Sequence, residues 1–242
     1  MNNQTPIRVL QLYPDDMNIY GDWGNTLVLK RRLEWRGYDV ELLTYNPGDD
    51  FPDDIDILVG GGGQDSGQSK IENDLRRIGP KLKKYAEDGM PMLVICGLYQ
   101  LFGHYFKTKD GTTIEGIGLL DITTVGGSER LIGNITTESD EFGEIIGYEN
   151  HSGLTTLGAA TSPLGIVRKG AGNNSADTHE GARYKNVIGT YMHGSLLPKN
   201  PAIADYLIST ALSRKFGDAF VLKELDDTME QQARKAAIKR PR

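Results

Sequence analysis

The stretch Pro91-Met92-Leu93-Val94-Ile95-Cys96-Gly97-Leu98-Tyr99-Gln100-Leu101-Phe102 decides how this chain folds. Four consecutive apolar residues, Met92 to Ile95, suit a central strand of a parallel sheet that is buried on both faces. Helical material over residues 98–106 follows at once, so Cys96-Gly97 forms a strand–turn–helix corner of the kind that lifts a nucleophile into reach. The start of a helix favours a thiolate, and the Gly97 N–H is oriented toward the place where an oxyanion would form.

Elements on the N-terminal side repeat the same alternation. Strand-like runs cover residues 7–12, 39–45 and 56–59, and helical periodicity covers residues 25–36 and 70–88. Gly37 and Gly89 close the two helices, and Gly79-Pro80 predicts a break in the second. The third strand runs straight into Gly60-Gly61-Gly62-Gly63-Gln64-Asp65, a loop whose bare backbone can approach a substrate carbonyl closely. It lacks a Lys-Ser/Thr ending, so it is a poor phosphate cradle.

Beyond residue 107 the texture changes. Short apolar segments at 114–122, 131–135 and 165–167, separated by Gly, Asn, Ser and Thr, predict β-hairpins. Alternation returns with a strand at 187–191, which delivers His193, and a helix at 201–216. The expected fold class is α/β: a mostly parallel sheet with helices on both faces, with added β-hairpins in the second half. One domain over residues 1–220 and a charged tail or helix over 221–242 are expected.

The chain has 242 residues, 38% hydrophobic and 25% charged, with 30 glycines and a net charge of −6. That balance gives no reason to expect nucleic acid as a partner. No apolar run reaches the roughly 18 residues of a membrane span, and residues 1–12 lack the pattern of an export signal. A cytoplasmic location is therefore expected. A single cysteine excludes an internal disulfide and a multi-thiolate zinc site, and no metal site is expected.

A thiol nucleophile needs a base. His193, just past a predicted strand, is the first candidate and His151 the second. His104, within the predicted corner helix, and His179, in a polar loop, suit surface or packing roles. A lone cysteine at a strand end is also a common structural residue, and residue spacing alone leaves both readings open.

Several motifs together resemble the class I glutamine amidotransferases, in their cobyric-acid-synthase-like branch. They are Asn18-Ile19-Tyr20-Gly21-Asp22-Trp23-Gly24-Asn25, Gly61-Gly62-Gly63-Gln64-Asp65, Ile95-Cys96-Gly97-Leu98-Tyr99-Gln100, Arg130-Leu131-Ile132-Gly133-Asn134, Tyr148-Glu149-Asn150-His151 and residues 189–200. The resemblance implies a flavodoxin-like fold, Cys96 as nucleophile, His193 as catalytic histidine, and Arg130 and Gln100 as binders of substrate L-glutamine. It implies backbone oxyanion donors at Gly62 and Gly97, each worth about 3 kcal/mol. Many class I relatives carry a glutamate two residues past the histidine; Ser195 stands there, and Asp22 is the candidate substitute for a third catalytic group, its Tyr-Gly-Asp-Trp-Gly-Asn setting reading equally as a helix N-terminal turn or a subunit contact. Leu98 replaces a glycine common at the corner.

Within this branch the resemblance is narrowest to glutaminase subunits that pass ammonia to a Mur-ligase-like partner, MurT, in a heterodimer. That partner amidates the D-glutamate of lipid II to D-isoglutamine in peptidoglycan synthesis. It implies no cofactor in this chain, with ATP and Mg on the partner, and an approach to the inner membrane face only through the complex. Two other readings are a glutaminase for another synthetase, such as one of cobyric acid amidation, and a non-catalytic interaction subunit.

Overall fold

The computed structural model describes residues 5–193, 196–217, 220 and 222–239. Ser195 and the last basic residues, Arg240 and Arg242, lie outside that set. The first sheet is built from β1 (Ile7–Leu12), β2 (Val40–Tyr45), β3 (Ile57–Gly60), β4 (Met92–Ile95), β11 (Ala182–Tyr184) and β12 (Val187–Thr190). Their spatial order is β11-β12-β4-β3-β1-β2, all neighbours parallel except β11 against β12. β3, β4 and β12 are buried at every position, which is why β4 reads as an unbroken apolar run and the other two admit only glycine and one buried threonine besides.

Counted as parallel strands, this is the flavodoxin-like order 2-1-3-4-5, and the chain reverses its direction of travel between β1 and β3. Right-handed crossovers then place α1 (Trp23–Trp35) and α2 (Asp65–Glu87) on opposite faces. α1 packs with α5 (Pro201–Phe216), and α2 packs with α3 (Gly97–Phe102). Loops leaving β1, β3, β4 and β12 all open at one edge, on both sides of the switch point, where open α/β sheets bind ligands.

The second sheet comes from β5 (Tyr105–Lys107), β6 (Thr113–Glu115), β7 (Ile122–Ser139), β8 (Gly143–Leu157), β9 (Gly165–Lys169), β10 (His179–Glu180) and β13 (Met192–His193). β7 and β8 form one long antiparallel ribbon instead of several short hairpins. Its inward positions include Thr124, Thr137, Ser139 and Thr155, which break its apolar pattern, and burial itself lapses over residues 125–132 of β7. The β13 pair joins the two sheets: Met192 and His193 lie opposite Glu149 and Tyr148 of β8.

Two further expectations are corrected. α2 does not break at Gly79-Pro80; Pro80 sits on its exposed side while Ile71, Leu75, Ile78, Gly79 and Leu82 keep one continuous buried stripe. Packing of that stripe outweighs the one hydrogen bond the proline cannot make. The corner helix stops at Phe102, not residue 106. Gly103 is extended, a Cβ there would lie 2.8 Å from the Ile122 carbonyl, and the His104 N–H donates to that same carbonyl. His104 therefore lies outside the helix.

Past α5 the chain is fastened by charge. Arg32, 2% exposed, donates to Asp205 at 2.8 and 2.7 Å and to Asp227 at 2.6 Å. α4 (Leu196–Lys199) leads into α5, and α6 (Thr228–Lys239) buries no residue but is held through Arg234 to Asn200 and Glu144.

Replacing Pro80 by alanine returns an N–H to the exposed side of α2 without touching the buried stripe. Pro80→Ala should stabilise the fold by about 1 kcal/mol, read as a higher urea midpoint with an unchanged slope.

Candidate active site

Cys96 stands at the carboxyl end of β4 with φ +49°, a left-handed conformation that is costly for a residue bearing a Cβ. Its N–H is tied to the Thr190 carbonyl at 2.9 Å, and the side chain of Leu98 presses onto Gly60, where no Cβ would fit. These contacts hold the strained corner. Leu98, the larger residue at the glycine-favouring position, thus fills the space over β3. Gly97 opens α3, so its N–H is one of the helix-start donors without a partner within the helix.

His193 arrives from β12 by way of β13. A Cβ placed on Gly62 would lie 2.6 Å from His193 Cε1 and 3.0 Å from Cys96 Cβ, so thiol and imidazole meet over this one glycine. In sheet order, β12, β4, β3 and β1 supply His193, Cys96, Gly62 and Asp22.

Asp22 occupies the N-terminal cap position of α1 but caps nothing with its side chain. The carboxylate turns inward, fully buried, and accepts from the Gly62 N–H at 2.8 Å while lying 3.2 Å from His193 Nδ1. Trp23 takes its backbone partner from Asn18 Oδ1 instead. Burial disfavours a charged His193 ring, but the opposite charge of Cys96 and the bond to Asp22 outweigh it and push its pKa well above the ordinary value. The Gly62 N–H, expected as an oxyanion donor, is here engaged by Asp22.

A cavity of about 350 Å³ opens beside Cys96, walled by Tyr20, Gln68, Gln100, Arg130, Asn150 and His151 among others. Arg130 reaches it because β7 bulges: residues 127–130 stand opposite the single residue Ser152 of β8. Its guanidinium donates to Asn150 Oδ1 at 2.6 Å and to the Tyr20 hydroxyl at 3.0 Å. The Tyr20 ring sets its edge on His193, with centroids 4.9 Å apart.

Gln100 is 4% exposed and bonded at both ends of its amide, to Gln68 and Tyr191. His151 stacks flat on Tyr191 at 3.6 Å, and its Nδ1 faces the Gly153 carbonyl at 2.8 Å. Desolvation lowers its pKa to about 4, so this ring stays neutral. Two histidines beside one cysteine are thus driven in opposite directions by their surroundings.

The other two lie elsewhere: His104 Nε2 meets Asp121 at 2.9 Å on the surface, and His179 lies in β10 beside Asp177. Tyr20, Gln68 and Asn150 were not singled out from the sequence. Tyr20 and Asn150 fall inside quoted motifs, whereas nothing around Gln68 marks it. Among the described residues, no group of three His, Cys, Asp or Glu side chains could hold a metal ion, and no helix is long and apolar enough to cross a membrane.

The sequence pattern of the CobB/CobQ-like glutamine amidotransferase domain matches residues 8–201. The chain is 43% identical over 235 residues to the lipid II isoglutaminyl synthase (glutamine-hydrolyzing) subunit GatD of Staphylococcus aureus (strain N315), covering 97% of this chain and 96% of the relative. It is 38% identical over 229 residues to the subunit of the same name from Streptococcus pneumoniae (strain ATCC BAA-255 / R6), covering 93% and 88%. A solved glutamine amidotransferase from Thermotoga maritima superposes with a TM-score of 0.56 at 14% identity, over 97% of this chain and 94% of that one, a likeness of fold.

Removing the Asp22 charge while keeping its shape takes away part of what raises the His193 pKa, so the ring should lose its proton at a lower pH. Asp22→Asn should move the titration of the His193 ring, followed by NMR of its imidazole protons, to lower pH than in the wild type; an unmoved titration would remove Asp22 from the causes.

Proposed function

The chain belongs to the CobB/CobQ-like glutamine amidotransferase family, and from that membership we propose that it is the glutaminase subunit of a lipid II isoglutaminyl synthase. It hydrolyses L-glutamine to glutamate and ammonia and hands the ammonia to a separate ligase subunit. The observation that carries this reading is the meeting of Cys96 and His193 over Gly62, with Asp22 behind the imidazole.

The Cys96 sulfur, beside the His193 ring and at the start of α3, is the nucleophile. Thiolate adds to the carboxamide carbon, and the carbonyl oxygen takes up the negative charge. The Gly97 N–H lies at the start of α3 to receive it. His193 gives its proton to the departing nitrogen as the carbon–nitrogen bond breaks, leaving ammonia and a thioester on Cys96. The neutral ring then draws a proton from water, hydroxide adds to the thioester, and glutamate leaves as the thiolate and imidazolium re-form.

Asp22 holds the ring by Nδ1 so that Nε2 is left for sulfur and substrate, the part an orienting carboxylate plays in any acid–base triad. The Gly62 N–H keeps Asp22 in place, and its share in binding the oxyanion requires release from that bond. Arg130 offers a planar fork to the α-carboxylate of glutamine, exchanging its Tyr20 contact for the substrate. Gln100 supplies a second polar contact.

The partner is read as a Mur-ligase-like MurT subunit. It would bind ATP and Mg²⁺, hold lipid II, and amidate its D-glutamate to D-isoglutamine, while this chain meets the inner membrane face only through that complex in the cytoplasm. Two long relatives named as subunits of such a synthase support this choice of acceptor over cobyric acid.

Cys96→Ser, assayed with the ligase subunit, should lose glutamine-dependent amidation of lipid II and keep amidation from added ammonium. Equal loss of both would overturn the assignment of Cys96 to glutamine hydrolysis. Arg130→Lys should raise KM for glutamine about tenfold or more, because an ammonium cannot replace the two-pronged contact.

A further inference from the structure

Gln68 lies near the start of α2, 1% exposed, in the wall of the Cys96 cavity. No step above uses it. Its Nε2 donates to the Gly97 carbonyl at 3.1 Å and to Gln100 Oε1 at 2.8 Å. A backbone carbonyl only accepts, so the Gln68 atom facing Gly97 has to be nitrogen. That nitrogen in turn requires oxygen from Gln100, which turns the Gln100 nitrogen the other way. There Nε2 donates to the Tyr191 hydroxyl at 3.1 Å, and Tyr191 is linked to Thr155 at 2.6 Å and Thr155 to Thr124 at 2.7 Å. One carbonyl at the nucleophile corner thus sets the direction of a buried chain of polar groups.

Gly153 completes the arrangement, since a Cβ there would collide with Gln100 Nε2. An amide nitrogen carries two hydrogens. Tyr191 takes one, and among the described residues no second acceptor bonds this nitrogen, on a side chain that lines the Cys96 cavity.

We propose that Gln68 is a positioning residue: it locks the Gln100 amide so that an N–H faces the cavity, and the site therefore receives its substrate there through an oxygen and disfavours one presenting N–H. The inference rests on the glutaminase reading above and extends it to a specificity device. Without Gln68 the Gln100 amide can turn over and offer an acceptor. A glutamate at position 68 would present only acceptors when ionised and would force that turn.

The test uses the full chain with its ligase partner and measures glutamine hydrolysis together with alkylation of Cys96 by iodoacetamide, which is too small to need the pocket. Gln68→Met should raise KM for glutamine about tenfold, as expected for one lost oriented hydrogen bond to a charged or strongly polar group, with kcat within about threefold. Iodoacetamide should react with Cys96 within about twofold of the wild-type rate, since the thiol and its histidine are untouched. Gln68→Glu should raise KM further. In a Gln100→Leu background Gln68→Met should add nothing, because the two residues act as one unit.

A wild-type KM in either folded Gln68 variant, a fall in kcat with KM unmoved, or a full additional KM effect in the Gln100→Leu background would overturn the proposal. If neither variant folds, a structure of the Cys96→Ser chain with glutamine decides: Gln100 Nε2 on a substrate oxygen supports it, and Nε2 facing N–H or out of contact overturns it. Failure of the glutaminase reading would look different, as a wild-type protein with unreactive Cys96 and no glutamine hydrolysis.

Discussion

A carboxylate with no exposed surface must be matched inside the protein or it will not stay charged, and Asp22 meets that demand with two partners drawn from opposite directions. Its oxygens take the Gly62 N–H from the loop after β3 and face the His193 ring that follows β12. Because the residue also stands where α1 begins, one side chain ties a helix start, a glycine loop and an imidazole to a common point. Breaking that tie would leave both a buried charge and an unheld ring.

The strain at Cys96 makes sense beside this anchor. A left-handed φ on a non-glycine residue persists only where its surroundings over-determine it, and here β12, Leu98 over Gly60 and the helix start do so. The thiol and the imidazole are then presented to each other by backbone, while Arg130 and Asn150 come from the ribbon of the second sheet. The first sheet carries Cys96 and Gln100, the second carries Arg130 and Asn150, and His193 stands in the short strand between them. β13 joins them, so the spacing between reaction and recognition depends on how the two sheets meet.

Much of this was legible beforehand. β1, β4 and α5 fall where their apolar patterns put them, because a doubly buried strand and a helix against a sheet leave little freedom in residue type. The corner at Cys96-Gly97 was readable for the same reason. Less readable was the ribbon of β7 and β8, where inward threonines and a serine hide the period of two. Pro80 misled because local propensity is worth less than a stripe of five buried contacts. The end of α3 depends on the Ile122 carbonyl, which residues near 103 cannot announce.

What the sequence determined by itself is the alternation of elements, the edge at which their loops emerge, and the chemical types available there: one thiol, a few imidazoles, an arginine and bare glycine backbone. Local periodicity encodes burial, and burial encodes these elements. Which imidazole is charged and which is neutral, that Asp22 turns away from its own helix, and that Gln68 faces Gln100 were decided only by the tertiary structure. Those outcomes depend on strand order and on pairs of groups up to 171 positions apart, and a polar side chain takes its state from whichever neighbours the fold brings within about 3 Å of it.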